Sequence, residues 1–392
     1  MLTSLALIFL CGLILGEIFK KLRLPSLIGM LITGILLGPY VLNLIDGSIL
    51  TISADLRQLA LMIILTRAGL SLNLDDLKQA GRPAVLMCFV PASFEIVGMV
   101  LLGPKIMSIS VLEAAILGSV VAAVSPAVVV PRMIKLMDEG YGTDKSIPQM
   151  IMAGASVDDV FVIVLFTSFT SLANGESISL TRFFEIPISI ILGIIVGTLI
   201  GWLFTLFFKK VHIRDSVKVL IILSTAFLLV AIEKKLEHTI PFSGLLAVMS
   251  VGIAVLRFYP VLAPRMSAKF SKLWVAAEIL LFVLVGATVD ISYAVSAGAS
   301  AVMLLLLVLI FRMVGVFCCL LGTQFNQKER FFSMVAYIPK ATVQAAIGGI
   351  PLAMGLACGN LVLTVAVLSI LITAPMGAFC IDLLYKKCLK KS

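Results

Sequence analysis

Apolar runs of about 17 to 28 residues recur along the whole chain, separated by short polar connections. A helix rises 1.5 Å per residue, so about twenty apolar residues cross the hydrocarbon layer of a bilayer, and few other folds use runs of that length. Read this way, the chain gives about thirteen spans, at 3–19, 25–42, 54–72, 83–103, 111–135, 146–173, 182–208, 216–233, 239–257, 272–290, 295–322, 329–355 and 360–385. With 61% hydrophobic and 13% charged residues, the 392-residue chain has too little polar surface to coat a soluble globule. The expected class is an all-α polytopic membrane protein, a single membrane domain over 1–392. After Asp382 the sequence runs LLYKKCLKKS, a short basic tail.

The net charge of +9 does not point to nucleic acid, because the bases fall in alternate connections. With the N-terminus outside, twenty-two Lys and Arg lie on the inner side and five (Arg57, Lys105, Arg182, Lys234, Lys235) on the outer. The positive-inside bias then places the C-terminus in the cytoplasm, which an odd number of spans requires. The N-terminal run reads as a retained helix, since Glu17 lies in its far end and no small-residue cleavage site precedes Lys20-Lys21. The seven cysteines show neither metal-ligand spacing nor a disulfide framework and read as small packing residues. His212 and His238 fall in expected loops, where a surface pH response is the most they suggest.

An odd count also suggests inverted symmetry: spans 1–6 (residues 1–173) and spans 8–13 (216–386) have opposite topology if span 7 (182–208) links them. Matched features support the pairing. Span 4 carries Glu95 and span 11 carries Arg312, while span 5 contains AVSPAVVVP (123–131) and span 12 contains YIPKATVQAAIGGIP (337–351). Proline removes a backbone donor and disturbs the preceding turn, so spans 5 and 12 are the two expected to break. Backbone freed in that way must face protein or a hydrated cavity, which points to an ion site near mid-membrane.

Glu95, Asp158, Asp159, Arg312 and Lys340 lie near mid-depth of their spans, where a charge without a partner is expensive. Glu95 and Arg312 read as a salt bridge, because arginine suits a fixed counter-charge better than a proton carrier. Asp158 and Asp159 are about 100° apart on one helix and can share a cavity without facing the same wall. Two desolvated, mutually repelling carboxylates titrate as a pair and are suited to hold protons or a hard monovalent cation. Ser125, Ser156 and Thr342 are possible oxygen ligands beside them. Lys340, at the break of span 12, reads as a counter-charge for exposed carbonyls. Arg67 lies near the inner surface, and Glu278 is either its partner or a gate contact.

At AVSPAVVVP (123–131), EGYGTDKSIPQMIMAGASVDDV (139–160) and PKATVQAAIG (339–348), the chain resembles the monovalent cation/proton antiporter superfamily, most closely the NHA-type sodium/proton exchangers. The resemblance implies an NhaA-like fold with two crossed broken helices, and a core of spans 3–6 and 10–13 moving elevator-fashion against a dimerisation domain of spans 1, 2 and 7–9. It implies Asp159 as the principal cation and proton ligand, Asp158 as its titratable neighbour, Arg312 where other members place a lysine, and Glu95 as the partner of that arginine. Sodium or lithium exchange for protons, a role in pH homeostasis, no cofactor beyond the transported ions, a homodimer in membrane lipid and a prokaryotic inner membrane are the matching expectations. Arginine in place of lysine favours electroneutral exchange, with both protons on the Asp pair.

Two alternatives use the same residues. A Kef-like potassium/proton antiporter shares the pattern but commonly carries a cytoplasmic nucleotide-binding domain, which this chain lacks. An intramembrane aspartyl protease needs two acids from different helices, whereas these are adjacent, without a Gly-x-Gly-Asp stretch.

Overall fold

The computed structural model describes residues 1–22, 24–71, 74–173, 180–236 and 242–391. These form eighteen helical segments. In order they are α1 (Leu2–Lys21), α2 (Ser26–Leu37), α3 (Gly47–Thr51), α4 (Ser53–Ser71), α5 (Leu74–Met87), α6 (Val90–Met107), α7 (Val111–Val121), α8 (Pro126–Asp138) and α9 (Ile147–Ala173). Then come α10 (Leu180–Lys210), α11 (Asp215–Leu236), α12 (Gly244–Phe258), α13 (Leu262–Ala287), α14 (Ile291–Cys319), α15 (Gln327–Ala336), α16 (Thr342–Ile347), α17 (Ile350–Ala353) and α18 (Gly359–Cys388). Among the described residues nine helices are long and apolar enough to cross a membrane, and α2, α12 and the 342–353 stretch are shorter apolar helices. Leu13 and Ile14 on α1, Ile191, Ile195 and Leu199 on α10, and Leu220 and Leu228 on α11 all point outward. Such outward apolar faces suit lipid, so the chain is an integral membrane protein.

Each expected span falls on helix, and three of them are divided. Span 5 becomes α7 and α8. A capping box starts α7, with Ser110 Oγ accepting from Glu113 N at 3.2 Å and Glu113 Oε2 accepting from Ser110 N at 2.8 Å. Pro126 ends it from the far side: Ser125, the residue before proline, is held extended at φ −89°, ψ 111°. Span 12 is divided by the same device. A second capping box, Asn326 with Glu329, starts α15, and Pro339 keeps 338–341 out of helix before α16. The third division was not expected. Span 4 read as one continuous helix, but the chain leaves helix at Cys88-Phe89, just before Pro91 at the second position of α6.

The chain groups into two compact units. One comprises Met1–Ala54, Asn73–Asn174 and Phe282–Ser392, the other Asp55–Leu72 and Gly175–Leu281. Spans 1, 2, 4–6 and 11–13 fall in the first of these and spans 3 and 7–9 in the second, with span 10 divided between them. Within the first unit α2 packs backbone to backbone on the end of α13: a Cβ on Gly38 would lie 2.9 Å from Ala287 Cα, and one on Gly286 would run into Leu31 O.

In the larger unit, α6 and α14 pack at glycines. A Cβ on Gly98 would lie 2.7 Å from the Phe311 ring, and one on Gly315 would lie 2.9 Å from Pro91 Cα. That approach sets Glu95 opposite Arg312. The C-terminal parts of α8 and α18, the start of α9 and α15 enclose an apolar cluster including Met133, Ile151, Phe332 and Ile381. Over it, Lys145 Nζ bonds Glu329 at 2.8 and 2.9 Å, Tyr385 donates to Glu139 at 3.0 Å, and Gly142 N donates to Lys390 O at 2.8 Å. In the smaller unit, Gly193, Gly197 and Gly201 form a small-residue stripe along α10 against α12: Cβ atoms on Gly193 and Gly201 would lie 2.7 Å from Ser243 O and 2.6 Å from Ala254 Cβ. Arg67 on α4 lies within electrostatic reach of Glu278 on α13, the partner considered for it.

Candidate ion-binding site

Spans 5 and 12 meet at their breaks. A helix ends with carbonyls that have no intrahelical partner, and at the end of α7 these are Val121, Ala122 and Ala123. Each is taken up by a side chain from α14 or from the other break. Lys340 Nζ donates to Val121 O at 2.7 Å, Arg312 Nη1 donates to Ala122 O, and Gln344 Nε2 donates to Val121 O at 3.2 Å and Ala123 O at 2.9 Å. The chain also bonds across directly, Ser125 N donating to Pro339 O at 2.8 Å. Lys340 N in turn donates to Thr373 Oγ1 on α18 at 3.0 Å.

Arg312 is the hub. Besides Ala122 O, its guanidinium donates to Tyr337 O at 2.8 Å, to Glu95 Oε2 at 2.9 Å and to Asp158 Oδ2 at 2.9 Å, and it lies over the Tyr337 ring, 5.4 Å from the centroid. A planar fork with several fixed donors can serve all of these at once, which an ammonium cannot. Lys340 closes the set at 2.8 Å from Glu95 Oε2 and 2.7 Å from Glu95 Oε1. All four charged side chains are within 1% of full burial. The expected pairing of Glu95 with Arg312 is present, but it is one edge of a four-charge cluster that also takes in Asp158 and Lys340.

Asp158 and Asp159 differ in their surroundings. Asp158 is fully enclosed, its Oδ2 accepting from Arg312 and, at 2.8 Å, from Val124 N in the break of α7–α8. Asp159 is only partly buried, and no described hydrogen bond or ion pair reaches its Oδ1. Ser125 and Thr342 lie at the starts of α8 and α16 and are buried, Ser125 Oγ without a hydrogen-bond partner. The Ser156 side chain, the third expected oxygen ligand, lies outside the described residues, as do Arg23 and His238. Three participants were not anticipated from sequence: the Val124 N–H, Gln344 and Tyr337.

The transmembrane sodium/hydrogen exchanger family matches residues 5–387. The chain belongs to that family. It is 32% identical over 407 residues to sodium/hydrogen exchanger 9B2 of Mus musculus, covering 99% of this chain and 74% of the relative. It is 32% identical over 415 residues to sodium/hydrogen exchanger 9B1 of Homo sapiens, covering 99% and 78%. In fold it is similar to the sodium proton antiporter MjNhaP1 from Methanocaldococcus jannaschii, with a TM-score of 0.84 at 19% identity, over 98% of this chain and 97% of that one. The monovalent cation/proton antiporter superfamily read from the motifs is thereby established, and the protein is a transporter, not an enzyme, which removes the protease alternative. Exchangers of this family work without a cofactor. Of the expected location, an integral membrane protein is what the family match and the apolar helices show.

Proposed function

We propose that this exchanger carries Na⁺ or Li⁺ in one direction and protons in the other at a site centred on Asp159, with Asp158 beside it. The observation that supports this most is charge balance. Glu95 and Asp158 supply two negative charges and Arg312 and Lys340 two positive ones, linked by the ion pairs Arg312–Glu95, Arg312–Asp158 and Lys340–Glu95, so the buried cluster is neutral before Asp159 is counted. An ionised Asp159 adds one uncompensated negative charge at mid-span, and a buried charge is tolerated only when neutralised. Either a proton or a monovalent cation does so, and competition between the two at one carboxylate is sufficient for antiport.

Arg312 and Lys340 remain fixed counter-charges in this scheme, so the exchanged charge resides on the Asp pair and transport is electroneutral. Ser125, Ser156 and Thr342 are the candidate neutral oxygen ligands. Thirteen crossings arranged as two inverted repeats, an outer N-terminus, an inner C-terminus, a lipid-embedded homodimer and elevator-type displacement complete the reading; the basic-residue asymmetry and the paired helix breaks support it.

The test is cation-driven pH change in proteoliposomes with Na⁺, Li⁺ and K⁺, for the wild type and Asp159→Asn. The expected result is exchange with Na⁺ and Li⁺ that the substitution abolishes. Normal exchange by Asp159→Asn overturns the site, proton release driven by K⁺ alone moves the protein to the potassium/proton class, and a steady-state current set by voltage overturns electroneutrality.

A further inference from the structure

Gln344 is buried among the charges, yet the charge balance above makes no use of it. Its side chain is fully enclosed, and both described contacts are made by Nε2, to the carbonyls of Val121 and Ala123. Two carbonyl acceptors fix the amide orientation: reversing the group would set Oε1 against carbonyl oxygens. Oε1 must therefore point away from the α7 end, and it is buried there without a hydrogen-bond partner. An enclosed carbonyl oxygen left unbonded carries the full cost of its desolvation, which a merely structural glutamine would avoid.

Two further unsatisfied oxygens are tied to the same stretch of backbone. Gln344 holds Ala123 O, Asp158 holds Val124 N, and Ser125 follows directly. The second carboxylate oxygen of Asp158 and the hydroxyl of Ser125 are both buried without a partner, like Gln344 Oε1. Three buried oxygens without partners thus belong to residues at or bonded to three consecutive positions of one helix break, and oxygens of this kind suit a cation. A hard monovalent cation prefers such oxygens, and a neutral amide carbonyl adds a ligand without adding charge.

We propose that Gln344 Oε1 is a neutral ligand of the transported cation, contributed by the second broken helix to the site formed by the Asp pair. This rests on the Asp159 reading above and extends it. The amide has two faces with separate tasks: the NH₂ holds the two breaks together, and the oxygen faces the cargo. Binding of the cation then senses the break of α15–α16 as well as that of α7–α8.

The test compares Gln344→Met, Gln344→Glu and Gln344→Asn for Na⁺- and Li⁺-driven exchange in proteoliposomes, with Asp159→Asn alongside. Methionine retains the volume and loses both functions of the amide, so the apparent KM for Na⁺ is expected to rise about tenfold, the equivalent of one lost ligand contact. Glutamate keeps an oxygen but loses the donors, and is expected to recover most of that affinity and to shift the pH profile. If Gln344 only clamps the carbonyls, Met and Glu are equally impaired and the Li⁺ to Na⁺ preference is unchanged; that result overturns the proposal. Should Met not fold, Asn retains the amide on a shorter stem, and a wild-type KM and a wild-type Na⁺-induced thermal stabilisation for Asn overturn it equally. Asp159→Asn separates the two failures: a dead Asp159 variant with an unaffected Gln344 series rejects this inference alone, whereas an active Asp159 variant rejects the site itself.

Discussion

Replacing Glu95 probes the charge balance most directly. Glu95 faces Arg312 Nη1 at 2.9 Å and Lys340 Nζ at 2.7 and 2.8 Å, with no solvent access. At an effective dielectric of about 20, each contact of this length is worth about 6 kcal/mol of Coulomb energy before desolvation is charged against it. Removing one member of a buried ionic group typically leaves a net loss of about 3–5 kcal/mol, because the remaining charges stay buried and uncompensated. Glu95→Ala is expected to lose that much, since it leaves two cations facing each other. Glu95→Gln keeps an acceptor and the side-chain volume, and should lose roughly half as much. The measurement is the midpoint of thermal unfolding in detergent at a fixed scan rate, with Na⁺-driven exchange measured on the same preparations. Exchange should weaken as well: without Glu95 the cluster carries a net positive charge when Asp158 is ionised, which offsets the anion at Asp159 and reduces its demand for Na⁺. A Glu95→Gln protein that melts at the wild-type midpoint and exchanges with wild-type Na⁺ affinity would refute both the four-charge cluster and the balance drawn from it.

Two packing predictions follow from the same geometry. A Cβ at Gly154 would run into the Tyr337 hydroxyl and lie 2.9 Å from Met87 Cβ, so Gly154→Ala should destabilise by about 1–3 kcal/mol; since the Tyr337 hydroxyl has no hydrogen-bond partner, Tyr337→Phe should cost little by itself and partly rescue Gly154→Ala in a double-mutant thermal melt. At Gly197 a Cβ would run into Ala247 O and lie 2.7 Å from Ser250 Cβ, so Gly197→Val should lower the melting midpoint more than Gly47→Val, where the added atom meets nothing within 4 Å.

What could be read beforehand followed from features that need no partner to be visible. Pro126 and Pro339 stand at matched places in spans 5 and 12, each beside a polar residue, and Asp158, Asp159, Arg312 and Lys340 are conspicuous in apolar sequence. The interruption at Cys88-Phe89 was missed because Pro91 is equally compatible with a continuous membrane helix and with the second position of a new one. Gln344 was passed over because a single glutamine in an apolar run carries no charge to explain; only the approach of the Val121 and Ala123 carbonyls gives its amide a direction. Likewise, the sharing of Arg312 between Glu95 and Asp158 depends on the meeting of α6, α9 and α14, which no local pattern encodes. The close approach of α2 to the end of α13, at Gly38 and Gly286, is equally invisible in a linear reading.

The bonds exchanged between the two breaks have a mechanical consequence. The end of α7 has no complement of its own: its last carbonyls are satisfied by Lys340, Arg312 and Gln344, and its next free amide, Val124 N, by Asp158. Sliding α7–α8 against α15–α16 would expose at one stroke several bare peptide groups and two cations to hydrocarbon or to one another, a penalty far above thermal energy. The crossing therefore behaves as a rivet rather than a hinge. The bonds across the two breaks hold α7–α8, α15–α16 and their counter-charges to one another as one unit.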